Sequence, residues 1–575
     1  MNDHEAAQSI DSDELQLVQP LSSPPTTAMG DRRSELQKLG YKQTLHRTWH
    51  YVENFAASFC ALNFIGGVRS VFFLGLLAGG PLAMWTSYLV TLFGMFITAA
   101  VLAEICSALP LSGSIYIWAA EAAGPKLARF VAFVVAWWAC TAWMTFAAGN
   151  CQTTANYIIS LMVVYEYDYP GGISMDNVKF RAFVWIVSEL FLVIAIALNH
   201  LPRLYLFYCD PPSLLSRWYS RVFKFSLALM MLDFFLCIIW LPIGASKTYG
   251  LRSTHDAFMT TYNGTGAPPA WNWILSFLFT AGTLTGFDAA GHIAEETKNA
   301  SIVAARGIFT SAVATGICGF LTMIVFLYCT PSFDVLFNLF APQPFVQVYA
   351  LALGKGGAVF MTCLATLGLI INTSIAVVAA SRLIYAVARD GVLPGSGWIS
   401  QVTADGQPRN AVRVMYIFGA ILLCTILPSN VAFTSLISAG GVPTIAAYGL
   451  IALLRLTMTP RSFKSSKYYL GKIGPVFYAI AAAFQALIFA VDISPFFFPV
   501  TVQYFNFAPV IFGAATIFAI LSWWFTPESK WLRLEHVRKT FEGADGRGES
   551  DRESIAGSGD TKHAQNTADP TTTSK

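Results

Sequence analysis

The stretch from Trp271 to Ser301, WNWILSFLFTAGTLTGFDAAGHIAEETKNAS, starts as an apolar helix long enough to enter a bilayer and then breaks. Gly282, Gly286 and Gly291 interrupt it, with Asp288 and His292 between and after the breaks. A plain membrane anchor gains nothing from this pattern. Each glycine costs a helix about 1 kcal/mol, and an ionisable group at membrane depth about 3 kcal/mol more. Freed backbone groups persist in a bilayer only where they are buried in protein or line a cavity, and such breaks mark binding regions. The stretch is therefore expected to be a substrate-handling helix in a polytopic carrier.

The rest of the chain supplies the bundle such a helix needs. Twelve segments of spanning length run approximately over 52–77, 82–104, 130–162, 180–199, 222–243, 271–293, 306–329, 356–388, 411–428, 432–456, 475–498 and 506–526. They are called spans 1 to 12 below. Only 12% of the residues are charged and 55% are hydrophobic, where a soluble chain carries roughly a quarter charged. The basic residues form no stripe, which excludes a nucleic-acid partner. The ten cysteines form no CxxC pair and no zinc spacing, so they read as small buried hydrophobes, with no metal or cofactor expected. Residues 1–50 are polar and rich in Ser, Thr, Pro and acids, and lack the layout of a cleaved signal peptide. They are expected to be a disordered tail, and 527–575 a second tail that ends disordered after one short charged helix, around a ten-helix core at 51–457 and two further helices within 475–526.

Loop charges orient the bundle. An even number of spans puts both tails on one side, together with Arg32, Arg33, Lys38, Lys126, Arg129, Arg203, Arg389, Arg409 and Lys464. The opposite loops hold only Lys179, Arg181, Lys247, Arg252 and Lys355. The positive-inside bias places both tails in the cytosol. Asn263-Gly264-Thr265, a glycosylation acceptor, then falls outside, and the similar Asn299-Ala300-Ser301 inside.

If spans 1–5 and 6–10 are halves of an inverted repeat, span 1 should carry a break matching that of span 6. NFAASFCALNFIGGVRSVFFLGLLAGGP contains Gly66-Gly67 midway, followed closely by Arg69. Glycine in one membrane helix is often there for close packing. Two glycine-interrupted helices at corresponding positions point instead to a midplane site between repeats.

Three ordered blocks carry a family likeness: AEICSALPLSGSIYIWAAEAAGPKLARF from Ala103, GFDAAGHIAEETKNAS from Gly286, and SRLIYAVARDGVLPGSGWISQV from Ser381. With them the chain resembles the fungal amino acid/choline/GABA permeases of the amino acid–polyamine–organocation superfamily over roughly 45–530. Ser114 stands where that family has a second glycine. The resemblance implies an all-α polytopic membrane protein of twelve transmembrane helices. Helices 1–10 would form a 5+5 inverted repeat with broken helices 1 and 6, and two helices would be extra. Substrate would lie between the breaks, with Ile65, Gly66, Gly67 and Val68 on one side and Thr285, Gly286, Phe287 and Asp288 on the other. The implied activity is secondary transport of an amino acid, GABA, choline or a polyamine, with protons as the coupling partner.

Within that frame Asp288 either attracts an ammonium and holds a proton, or caps the unwound turn. Arg69 stands outward of the break. It either snorkels to the surface or forms a gate pair with an acid, Asp288 being one choice. Asp233 and His292 are further gating or proton-coupling candidates. Lys224 would replace a sodium ion if its register matched the relatives that use a lysine there. Glu296 reads as a solvated residue and Glu295 as a tie to a neighbouring helix. Trp143, Thr145, Asn150, Asn372, Thr373 and Ser374 would flank the same cavity. A membrane-embedded enzyme finds no support, since HExxH, a nucleophile elbow and a phosphate-cradling loop are all absent. A nutrient sensor on a carrier fold and an amino acid exchanger stay open. The expected location is the plasma membrane, with a vacuolar or other internal membrane as the alternative.

Overall fold

In the computed structural model the described residues are 45, 47–199, 213–403, 406–428, 430–501 and 505–531, with backbone alone for 213–217 and 430–439. Among them, eleven helices are long and apolar enough to cross a membrane. The twelfth expected span is the interrupted one. Span 1 comprises Tyr51–Leu62 and Phe64–Leu77; span 2, Gly80–Ala108; span 3, Ile115–Val164; span 4, Val178–Leu198; span 5, Ser213–Lys247. Span 6 is divided into Pro269–Leu275, Phe277–Gly282, Ala289–His292 and a 3-10 turn at Ala294–Glu296. Then follow span 7 at Ala300–Cys329, span 8 at Pro344–Arg389, span 9 at Arg409–Leu423 and span 10 at Asn430–Thr457. Spans 11 and 12 are Gly474–Asp492 and Ala508–Phe525. Pro81, Pro344, Pro475 and Pro509 stand in first turns, where a missing N–H leaves no bond unmade.

Two elbows expose the repeat in the backbone itself. Span 3 bends at Gly124 (φ 71°, ψ 171°) and span 8 at Gly354 (φ 74°, ψ 173°). Side-chain-bearing residues avoid this region, so glycine is required at both. Each elbow separates a short lead-in, 115–123 or 344–353, from the membrane helix proper. These lead-ins lay outside the expected bounds of spans 3 and 8, because an apolar run gives no warning of a turn inside it.

The first helices of the two halves run antiparallel and are tied at both ends. At one end Ala78 pairs with Asn263, and at the other Trp49 pairs with Thr297. Span 2 packs along span 7, span 3 along span 8 and span 4 along span 9, as the 5+5 arrangement requires. The face from which span 1 sets out is called the tail face below. Leu45 and Trp49 are buried there. Thr48 and Trp49 donate to the Glu296 carbonyl, so the chain is already packed several residues before the expected end of the tail at 50. The remaining expectations for 1–44 and 532–575 lie outside the described residues.

Candidate functional site

The break of span 6 falls where the glycines place it. Helix stops at Gly282, resumes at Ala289, and Gly286 has φ 119°, a conformation that disfavours every side chain. The carbonyls freed by the break are met by span 1. Ser58 Oγ donates to the Phe287 carbonyl at 2.7 Å and Asn54 Nδ2 to the Ala290 carbonyl at 3.0 Å. Neither residue stood out in the sequence, although polar groups four apart in an apolar helix are the mark of such a contact.

The break of span 1 is not at Gly66-Gly67. It lies at Asn63, whose backbone is left-handed (φ 41°, ψ 60°). Asn tolerates this conformation better than other non-glycine residues, because its short polar side chain can bond locally. Its Oδ1 accepts from Gly66 N at 3.4 Å and its carbonyl from Gly67 N at 2.8 Å. Ile65, Gly66, Gly67 and Val68 are therefore helical. The glycines serve close approach: a Cβ on Gly66 would sit 2.5 Å from Asn63 Nδ2, and one on Gly67 would meet Thr283 of span 6 at 3.4 Å.

Asp288 and His292, one turn apart, are both fully buried, with His292 Nε2 2.9 Å from Asp288 Oδ2. Tyr448 of span 10 donates its hydroxyl to Asp288 Oδ1. The Tyr448 ring stacks on Phe287, centroids 5.0 Å apart, and Trp143 of span 3 meets His292 in a T-shaped contact with centroids 5.4 Å apart. The His292–Asp288 approach is an ion-pair distance without hydrogen-bond geometry, and neither His292 ring nitrogen nor Asp288 Oδ2 makes a hydrogen bond. Thr285 bonds back to the Ala281 carbonyl at 2.9 Å. A carboxylate, an imidazole and three aromatic rings thus meet at one broken turn.

Arg69 does not reach Asp288. Its guanidinium forms a buried ion pair with Asp233 of span 5. It also donates to Tyr349 Oη at 3.0 Å and lies over the Tyr157 ring at 5.6 Å. Its Nε returns to the Ile65 carbonyl at 3.2 Å. Helical phase explains the correction, since Arg69 lies one turn beyond Ile65 on the side of span 1 that faces span 5. It does not snorkel. Lys224 is likewise not in the interior: its side chain is half exposed and pairs with Glu53 at 2.9 Å.

Two further ion pairs close the tail face. Arg389 bonds both carboxylate oxygens of Glu295, at 3.0 and 3.2 Å, and Ser112 N donates to the same group at 3.0 Å. Arg382 pairs with Glu296 at 2.7 Å and with Gln407 at 2.8 Å, beneath the Trp49 ring. Glu296 is therefore buried rather than solvated. The loop before span 3 takes a side chain into glycine territory, since Ser114 has φ 45°.

Of the polar groups expected to flank the site, Thr145 and Thr373 bond their own helices. Ser374 takes an amide from Asn199 at 3.1 Å. Asn150 Nδ2 and both amide atoms of Asn372 find no partner. Asn263 is exposed, and its Oδ1 accepts from Thr265 Oγ1 at 3.1 Å.

Residues 52–520 match the amino acid permease family model. The chain is 45% identical over 522 residues to the thiamine transporter thi9 of Schizosaccharomyces pombe, covering 86% of each. It is 28% identical to the amino-acid permease BAT1 of Arabidopsis thaliana, covering 88% of this chain and 96% of that one. In fold it is similar to a manganese transporter of Eremococcus coleocola (TM-score 0.51, 11% identity, 90% of this chain and 98% of that chain). Broken spans, paired elbows and a likeness that runs nearly end to end converge: the chain belongs to the amino acid permease family and is a multi-pass membrane transporter, not an enzyme.

Proposed function

We propose that the protein imports thiamine or a closely similar organic cation, driven by protons, with its tail face in the cytosol. One observation carries the reading. The buried Asp288 carboxylate and the stacked Phe287 and Tyr448 rings offer a cation both charge and aromatic faces. Meanwhile the Gly66 and Gly67 N–H groups, which would hold an amino acid's carboxylate, are already taken by Asn63. The likeness to a thiamine transporter supports the substrate, and the loop charges support the orientation. With Asp233 tied to Arg69, the Asp288–His292 diad is the carrier for the coupling proton, as buried titratable chains in membranes commonly are. The likeness to plant amino-acid permeases favours an amino acid as the second reading.

Uptake of labelled thiamine, GABA, arginine and choline, in cells lacking their own carriers, tests both. Thiamine should accumulate, a protonophore should abolish the accumulation, and sodium should be without effect. Uptake of GABA or arginine but not thiamine would replace the first reading by the second. Sodium-driven uptake that ignores a protonophore would remove the diad from the coupling step.

A further inference from the structure

The loop joining spans 10 and 11, residues 458–473, carries Arg461, Lys464, Lys467 and Lys472, and no Asp or Glu occurs anywhere from 406 to 491. All four cations are exposed, and none has an ion-pair partner among the described residues. A basic loop needs only its charge to orient a membrane chain. Here the backbone beneath the charge is fixed as well. Leu470 N donates to Glu104 Oε1 of span 2 at 3.0 Å, Lys467 N to Ser107 Oγ at 3.0 Å, and Thr459 Oγ1 to the Ala122 carbonyl of span 3 at 3.0 Å. Arg455, fully buried in span 10, bonds Glu104, the Thr459 carbonyl and the Tyr478 hydroxyl of span 11, and lies over the Phe463 ring. Phe463 itself is held at φ 65°, a strained conformation that persists only where the surroundings dictate it. A topological signal has no need of these anchors. A surface that must meet a partner in a set orientation does.

The neighbours of the cations select the partner. Met458, Ile473 and Val476, where spans 10 and 11 adjoin the loop, are exposed, as is Tyr469. Apolar side chains on the outside of a membrane bundle face acyl chains, and tyrosine rings favour the headgroup level. The four cations, set between these two helix ends, stand at the depth of lipid phosphates. Their stems lie along apolar surface while their charged ends stay in the headgroup layer. A soluble anion would meet the charges and leave the apolar rim without a partner, whereas a phospholipid satisfies both.

We propose that the 458–473 loop is a docking surface for anionic phospholipids in the leaflet at the tail face. Clusters of four or more cations beside a membrane helix attract such lipids through the summed charge. The inference is independent of the substrate.

The test uses the purified full chain in nanodiscs of phosphatidylcholine doped with phosphatidylserine. Photoactivatable analogues of the two lipids are supplied at equal trace levels, and crosslinks to 458–477 are counted by mass spectrometry. Phosphatidylserine should label this segment about tenfold more than phosphatidylcholine, and rising salt should weaken the preference. Lys464→Gln or Lys467→Gln should each cut the preference about fivefold, and neutralising all four cations should abolish it. The melting temperature should hold in each variant, because the side chains are exposed and the backbone anchors are untouched. Equal labelling by the two lipids, or a preference that survives in both single variants, would overturn the proposal. Displacement of the phosphatidylserine label by glycerophosphoserine, the same headgroup without its chains, would also overturn it, since the surface would then serve a soluble anion.

Discussion

Asn63 and Gly286 solve the same problem with different chemistry. Gly286 holds φ 119° because it has no Cβ, whereas Asn63 holds φ 41° because its amide caps the helix it starts. A β-branched Gly286→Val is therefore expected to abolish uptake, with surface expression retained in a labelling assay. Gly66→Val should do the same by another route, its side chain displacing the Asn63 cap from 2.5 Å away. The Arg69–Asp233 pair gives a second expectation at this scale. Removing either partner strands a buried charge, at a cost of about 3–5 kcal/mol. Arg69→Leu and Asp233→Leu should each lose expression or melt early, and the double substitution should recover part of the loss. In a thermal-stability cycle Arg69 and Asp233 should deviate from additivity by roughly 0.5–3 kcal/mol, while Arg69 and Asp288 should add.

Among the elements, spans 6 and 8 are locked together at the tail face by Arg389–Glu295 and Arg382–Glu296. Transport requires this face to open, so the locks set its closed population. Arg389→Ala should raise labelling of the buried Cys60 by a polar maleimide tenfold or more, read against a reporter thiol elsewhere.

What could be read without coordinates divides along the same lines. The break of span 6 was legible because three glycines and an acid within ten residues contradict a plain membrane helix. That of span 1 was displaced to Gly66-Gly67, because glycine is the usual left-handed residue and Asn63 looked like one more polar group. Pairings across the bundle were hidden. The partners of Arg69 depend on the rotation of spans 5 and 8 about their own axes, and twelve apolar helices carry little phase information. Tyr448 and Tyr349 gave no signal, being single aromatics in long apolar runs.

For the whole molecule, orientation is the property most open to test. With the tail face in the cytosol, Asn263 is presented outside and Asn299 inside. Glycosidase treatment should shift the wild-type band, Asn263→Gln should remove the shift, and Asn299→Gln should leave it intact. The reverse pattern would invert the molecule and put the tail face outside the cytosol. The divided span 6 also bears on how the chain is made. Its longest uninterrupted helical pieces are Pro269–Leu275 and Phe277–Gly282, far short of a bilayer's thickness. Emerging alone from a ribosome, the segment would hold unmet carbonyls and a buried-type acid against lipid. Asn54 and Ser58 of span 1 meet those carbonyls, and span 1 has already been synthesised by the time span 6 appears. Biogenesis is thereby ordered: the first half acts as the template on which the second half's defective helix is retained, and a second half expressed by itself should fail to thread.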